Sequence, residues 1–280
     1  LGGSRFSGLT QINASNVGDL KQAWTYRTGH TGSEIGFEAT PLMVGDSLYL
    51  CTSNNVIIAL DPETGKQRWR HDPKVSAPPL AACRGVAYFA GPELTGACAA
   101  RIIFATTDAR LMAVDAGDGV PCPGFGTNGI VDLKNGMGPV KDGYYYVSSA
   151  PTIVSGNVIV GGWVRDNQET GEPSGVIRGF NAVTGKFAWA WDMDRPDDHA
   201  EPADGQFYSR ATANSWAPMS GDEALGLVYV PTGNATPDYW GGHRSPGSEK
   251  YSASVVAIDA KTGQARWSFQ TTHHDLWDFD

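Results

Sequence analysis

A-L-D-P-E-T-G-K-Q-R-W, from Ala59 to Trp69, is the phrase to which the chain keeps returning. It recurs as G-F-N-A-V-T-G-K-F-A-W from Gly179 to Trp189 and as A-I-D-A-K-T-G-Q-A-R-W from Ala257 to Trp267. A degenerate copy, A-V-D-A-G-D-G, begins at Ala113, and the tail of another, D-L-K-Q-A-W, ends at Trp24. The unit is legible from Asn54 onward. Val56–Leu60 is a continuous apolar run of strand length, Asp61–Lys66 is a turn, and the next strand carries Trp69. Asp61 can accept from backbone N–H groups of the turn and Gly65 can supply its positive φ. A hairpin repeated in this way, each copy presenting a large flat ring, predicts an all-β chain built as a β-propeller. Trp24, Trp69, Trp189 and Trp267 are its expected docking side chains, wedged between neighbouring sheets.

Further strand candidates fill the gaps: Ser47–Cys51, Val86–Phe89, Arg101–Thr106, Thr152–Val154, Asn157–Val160 and Gly226–Val230. The repeat tryptophans are 45, 120 and 78 residues apart. A four-stranded blade takes about 40–50 residues, so the longer intervals carry insertions, and the copy near Asp115 divides the longest. The 35 glycines and 17 prolines suit many short strands joined by tight turns.

The formal net charge of −9 comes with no basic stripe, which argues against a nucleic-acid partner. No apolar run approaches the roughly 18–20 residues that cross a bilayer. There is no initial Met and no signal-peptide pattern, and Asn13–Trp24 already reads as part of a blade, so residues 1–280 are read as a single partial propeller domain of a longer protein. None of the four cysteines forms a C-x-x-C pair, which disfavours a zinc site. Cys51 reads as a small buried strand residue. Cys83 and Cys98 flank an excursion and would pair in an oxidising compartment, a pairing the sequence leaves open.

Five stretches depart from the repeat: Tyr144–Pro151, Gly161–Gly179, Asn214–Met219, Pro231–Gly242 and Thr271–Asp280. Loops between elements of a rigid scaffold are where function concentrates. The last, T-T-H-H-D-L-W-D-F-D, holds two histidines and three carboxylates; it suits a general base or a metal, and equally a solvated acidic turn.

The repeat, with H-H-D-L-W-D at 273–278, S-G-V-I-R-G-F at 174–180, F-E-A-T-P-L at 37–42, A-C-R-G-V-A-Y at 82–88 and P-T-G-N-A-T-P-D-Y-W-G-G at 231–242, resembles the pyrroloquinoline-quinone (PQQ) dependent dehydrogenases. The branch it looks like is that of the membrane-bound glucose, polyol and quinate/shikimate enzymes. The resemblance runs along essentially the whole chain. It implies an eight-bladed propeller with PQQ on its axis, of which about five blade signals are present here. It also implies a substrate alcohol or polyol, ubiquinone as electron acceptor, a membrane anchor outside this segment, and a place on the periplasmic side of the bacterial inner membrane.

By the same resemblance, Asp275 is the general base and lies beside the quinone. Calcium or magnesium, both partial to oxygen donors, is held by Asp166 and Asn234 with Asp275 close by; Glu172 competes with Asp166. Asn234 favours the quinate-like branch. Trp216, outside the repeat frame, is the aromatic floor for the flat cofactor. Arg84 answers a cofactor carboxylate, Ser148 bonds another, and Glu38 stands at the quinone edge. Two features depart from the family. The adjacent-cysteine pair of the alcohol and methanol branch is missing, since Ala82 precedes Cys83, and an active-site lysine falls beyond this segment, so the chain by itself should not complete a cofactor pocket. A cofactor-free scaffold like the propeller assembly factors of the outer membrane is the rival reading, as is a purely structural fragment. Neither gives a reason for Asp275, Asn234, Arg84 and Trp216 to occur together.

Overall fold

A computed structural model describes residues 8–29, 37–75 and 82–279. The strands are β1 (Leu42–Val44), β2 (Ser47–Cys51), β3 (Ile57–Leu60), β4 (Gln67–His71), β5 (Ala87–Ala90), β6 (Ala100–Ala105), β7 (Arg110–Asp115), β8 (Ile130–Asp132), β9 (Tyr145–Tyr146), β10 (Thr152–Val154), β11 (Asn157–Val160), β12 (Trp163–Val164), β13 (Ile177–Asn181), β14 (Phe187–Trp191), β15 (Ser220–Asp222), β16 (Leu227–Thr232), β17 (Ser254–Asp259) and β18 (Ala265–Gln270). Among the described residues they form four four-stranded sheets, ordered β1-β2-β3-β4, β5-β6-β7-β8, β10-β11-β13-β14 and β15-β16-β17-β18, and a two-stranded ribbon of β9 and β12. The named strands all pair antiparallel, as in successive propeller blades. The N-terminal copy of the phrase contributes Trp24 but no strand. The one α-helix among the described residues, α1 (Pro246–Tyr251), is short, and no described helix is long and apolar enough to cross a membrane.

The repeated phrase builds the same object each time. Asp61 Oδ1 accepts from the backbone N–H of Glu63 and Thr64 and from the Thr64 hydroxyl. Asn181 does the same for Val183 and Thr184, and Asp259 for Lys261 and Thr262. A register shift falls at the same place in the three full copies, at Ala59/Leu60, Gly179/Phe180 and Ala257/Ile258. Hydrogen bonds from Thr64, more than any other cause, hold the Asp61 carboxyl down at about 2, below its ordinary 3.8. The depressed folded-state value means the turn's contribution is complete above pH 3.8 and is lost as pH falls toward 2. Thermal melts over that window should show Asp61→Asn flattening the acid-induced loss; an unchanged slope would mean that Asp61 does not report the folded state.

The buried side chains cluster where one sheet faces the next, so the core lies between sheets. Ile57, Ala59 and Trp69 pack on Ile102, Phe104 and Met112 of the second sheet. Ile159, Ile177 and Trp189 pack on Val228, Val256 and Ile258 of the fourth. The docking is specific. The indole N–H of Trp24 donates to Pro62 O, that of Trp69 to Ala116 O and that of Trp189 to Ala260 O. In each case the acceptor follows the Asp of the next blade's turn. The ring lies on that turn's glycine: a Cβ on Gly65, Gly119 or Gly263 would stand 2.5, 2.6 or 2.8 Å from an atom of the incoming indole. Those glycines carry the φ values (+68°, +75°, +80°) that side chains disfavour, so one residue solves both the turn and the landing site.

The seam between the second and third sheets lacks a tryptophan and is built differently. Buried Phe125 comes against Gly185, and Arg101, 3% exposed, donates through Nη1 to Ala182 O and Val183 O and through Nε and Nη2 to Cys98 O. Ala182 holds the position that accepts the indole N–H elsewhere. A cavity of about 450 Å³, lined in part by Gly126, Ile130, Arg178, Gly185 and Phe187, remains at this seam. Arg101→Met should lower unfolding free energy by about 2–3 kcal/mol in urea titration, because charge-assisted bonds to buried carbonyls are lost. A neutral or stabilising result would mean that desolvating the guanidinium costs as much as those bonds return.

Two expectations need correction. Cys83 does not pair with Cys98: the disulfides are Cys51–Cys83 and Cys98–Cys122, and Cys51 is therefore a cross-link rather than a free strand residue. Cys83 precedes β5 and Cys98 follows it, and a four-residue strand separates its ends by about 10 Å, beyond disulfide reach. Trp267 is 49% exposed, resting against Tyr229 in its own sheet, because no described sheet follows β18.

Candidate functional site

β1, β5, β10 and β15 each stand first in their sheet, and the segments entering them hold equivalent positions on successive blades: Glu38–Pro41, Cys83–Val86, Ser148–Pro151 and Trp216–Pro218. These segments are tied together. The Arg84 N–H donates to Ser148 O at 2.8 Å, and the Thr40 N–H to Arg84 O at 2.9 Å. The Arg84 guanidinium pairs with Glu38 at 3.0 Å and lies over the Trp216 ring, 5.0 Å from its centroid. The hydroxyls of Ser148 and Ser149 donate to Trp216 O at 3.3 and 2.5 Å. Four residues singled out from sequence, Glu38, Arg84, Ser148 and Trp216, thus meet at one place, with Ser149 an addition. The Cys51–Cys83 disulfide anchors the residue before Arg84 to β2. A cavity of about 390 Å³ runs between the inner strands from this cluster, lined by Thr40, Arg84, Gly85, Ala150, Pro151 and Pro218 among others.

A second group forms where the loops of the third and fourth sheets converge. Gly233 N–H donates to Asn214 O at 2.8 Å, which sets the loop of Asn234 beside the segment that carries Trp216. Asn234 and Asp275, 4% and 0% exposed, touch the same nitrogen: Arg244 Nη2 donates to Asn234 Oδ1 at 3.0 Å, to Asp238 O at 3.2 Å and, in a closer contact, to Asp275 O. The Asp275 carboxylate accepts from Trp277 N–H at 2.8 Å and Phe279 N–H at 2.9 Å. It does cap its turn, yet each oxygen keeps a further lone pair. Asp280, the third carboxylate of the stretch, lies outside the described residues.

Asp166 is half-buried, and its neighbour Asn167 exchanges bonds with Asp238. The Tyr239 phenol is pushed up, first by the negative charge of Asp278 and then by desolvation and by Asp238 and Asp166. Glu172 is fully buried: Oε1 accepts from Gln168 and Glu169 N–H, and Oε2 has no partner. Asn214 Oδ1, Ser215 Oγ and Thr236 Oγ1 are likewise buried without a hydrogen-bond partner. Buried oxygens in surplus suit a hard cation, which takes amide, hydroxyl and carboxylate oxygen alike. No group of three or more His, Cys, Asp or Glu side chains converges among the described residues, so a cation here must draw on such neutral oxygens too. An indole face beside a guanidinium and two hydroxyls suits a flat, polyanionic ring system.

Arg244 is the residue that sequence reading missed. It stands in W-G-G-H-R-S-P, just past the Asn234 loop, and nothing in that spacing announces a reach to Asp275.

Blades docked through indoles, with an arginine–indole–carboxylate cluster at the inner strands, define a propeller of the quinoprotein kind. The chain belongs to the family described as PQQ: glucose/ethanol/alcohol dehydrogenase, beta-propeller domain, which it matches over residues 1–280. It is 48% identical over 286 residues to the glycerol dehydrogenase large subunit of Gluconobacter oxydans, covering 99% of this chain and 38% of that one. It is 44% identical to the quinoprotein glucose dehydrogenase of Escherichia coli and 42% identical to the quinate/shikimate dehydrogenase (quinone) of Acinetobacter baylyi, covering 37% of each and 99% and 100% of this chain. Among solved structures, the quinohemoprotein alcohol dehydrogenase of Comamonas testosteroni superposes with a TM-score of 0.75 at 28% identity, over 98% of this chain and 40% of that chain. The chain therefore spans less than two fifths of the curated relatives named here.

Proposed function

We propose that the full-length protein oxidises a polyol, a sugar or a cyclic hydroxy acid and passes the electrons to ubiquinone, from the periplasmic side of the bacterial inner membrane. The observation that carries this reading is the meeting of Glu38, Arg84, Ser148 and Trp216 at the entries to four successive inner strands. A scaffold propeller needs its docking tryptophans and has no use for that cluster. The relatives' names, with glycerol, glucose and quinate/shikimate among their substrates and a quinone as acceptor, support the substrate class. Two disulfides suit an oxidising compartment. Residues 1–280 are read as one continuous arc of the propeller.

Bound PQQ supplies a two-electron acceptor, and calcium or magnesium beside it supplies Lewis acidity. The chain's own residues do the rest. Trp216 sets the plane of the cofactor by stacking; Arg84 and Ser148 answer its carboxylates, and Glu38 fixes the Arg84 fork. Asp275 offers the cation oxygen, and Asn234 Oδ1, which accepts from Arg244 and from the Ala235 N–H, joins it by giving up one of those bonds. The sequence puts Asp166 third, while the buried, unpartnered Oε2 of Glu172 supports the competing carboxylate. Asp275 takes the proton of the substrate hydroxyl, which makes its carbon a hydride donor.

Reconstitution of the full-length protein with PQQ and calcium, followed by a dye-reduction screen over glucose, glycerol and other polyols, quinate and shikimate, tests the reading. Cofactor-dependent turnover on at least one of these is the expected result. Absence of both PQQ binding and turnover would leave the scaffold reading standing.

A further inference from the structure

Arg244 touches both the proposed base and the proposed cation ligand, and its surroundings explain how. The Asp275 carboxylate is fixed to its own loop by the Trp277 and Phe279 amides, so the loop's orientation is the carboxylate's orientation. The loop is gripped by the segment 241–251. His274 Nδ1 meets Glu249 Oε1 of α1 at 2.8 Å, and the His274 ring sits so close over Gly241 that a Cβ there would lie 2.5 Å from it. Gln270 Nε2 donates to Glu249 O and Ser252 O. The His274–Glu249 pair is about half exposed, which makes it weak. The contact to Asp275 itself is the guanidinium of Arg244 on its carbonyl, and the same nitrogen fixes the Asn234 amide oxygen. Charge-assisted bonds of this kind are the stronger ones. Arg244 Nε and Nη1 are buried and have no hydrogen-bond partner. The side-chain hydrogen bonds of Arg244 are thus concentrated in one nitrogen, Nη2.

We propose that Arg244 is a positioning residue of the oxidation site, holding Asp275 and Asn234 in a fixed mutual register. The proposal rests on the reading of Asp275 as base. Arg244 acts through the loop and not on the cofactor cluster at Arg84 and Trp216. Its loss therefore lowers kcat and leaves cofactor affinity and KM nearly unchanged. A misplacement of the order of 1 Å costs about 10²-fold in rate. Because a single nitrogen makes these hydrogen bonds, a lysine that keeps one charged donor recovers part of the loss, which a wedge-like packing role would not predict.

The test uses the full-length protein loaded with PQQ and calcium. Arg244→Gln, Arg244→Lys and Asp275→Asn are compared for kcat, KM and PQQ affinity by tryptophan-fluorescence titration, with melting curves alongside. Arg244→Gln is expected to lose about 10²-fold in kcat with KM and PQQ affinity within about threefold, and Arg244→Lys to recover about tenfold. A kcat for Arg244→Gln within threefold of the parent overturns the proposal, as does a loss that appears in PQQ affinity instead. Where Arg244→Gln does not fold, Arg244→Lys decides: about tenfold lower kcat at unchanged KM supports the role, and parental kcat overturns it. Full turnover in Asp275→Asn would instead remove the base reading beneath it, an outcome separate from a silent Arg244→Gln.

Discussion

Asp275→Asn is expected to reduce turnover of the full-length protein by at least about 10³-fold while PQQ affinity changes by no more than a few fold. The side chain is wholly buried, and both its oxygens accept backbone N–H groups of its own loop. A carboxamide has nearly the same shape, so the loop should persist. It cannot take a proton, however, and its NH2 would face an amide that also donates, which pivots the group away from one partner. The residues proposed to bind the cofactor's ring and carboxylates form the separate cluster around Arg84, so cofactor affinity should survive. Dye-reduction kinetics and fluorescence titration on the same preparation separate the two effects. Turnover within tenfold of the parent would remove Asp275 as the base. A loss confined to PQQ affinity would make it a binding residue.

The parts of the molecule that sequence made legible are those whose physics is local. A strand, an Asx-type turn and a following strand occupy consecutive residues, so Ser47–Cys51, Thr152–Val154 and Asn157–Val160 are observed with the expected limits. Glu38, Arg84, Ser148 and Trp216 were found by resemblance, yet a local signal lies beneath it. Each comes just before the first strand of a blade, and the short T-P, A-P and A-P steps at Pro41, Pro151 and Pro218 mark three of those entries. What stayed hidden depends on contacts between distant residues. The cysteine pairing follows from which strand ends lie together, not from which cysteines are near in sequence. The replacement of an indole by Phe125 and Arg101 leaves no mark in the phrase except its absence near Asp115. Arg244 belongs to a loop whose partner is 31 residues on. Glu172, ranked second to Asp166, is the one the fold buries.

Trp189→Ala and Trp267→Ala make a matched pair, since both end the same phrase and differ in what the next residues supply. Trp189 is 1% exposed, donates to Ala260 O at 2.8 Å, and lies on Gly263 of the following turn. Its removal opens a cavity between two sheets and orphans a carbonyl, so in this 280-residue chain it should cost about 3–5 kcal/mol in urea unfolding. Trp267 is 49% exposed with Tyr229 against its ring, and the same substitution there should cost under about 1 kcal/mol. In the full-length protein the second value should climb toward the first, because a further blade would bring its own turn glycine beneath the ring. The indole would then lose the same contacts on truncation. Equal costs in the short chain would mean that tryptophan stabilises each sheet from within rather than by docking. A cost for Trp267→Ala that stays small in the longer protein would mean that no further blade docks on β18, and the arc would not continue as the repeat implies.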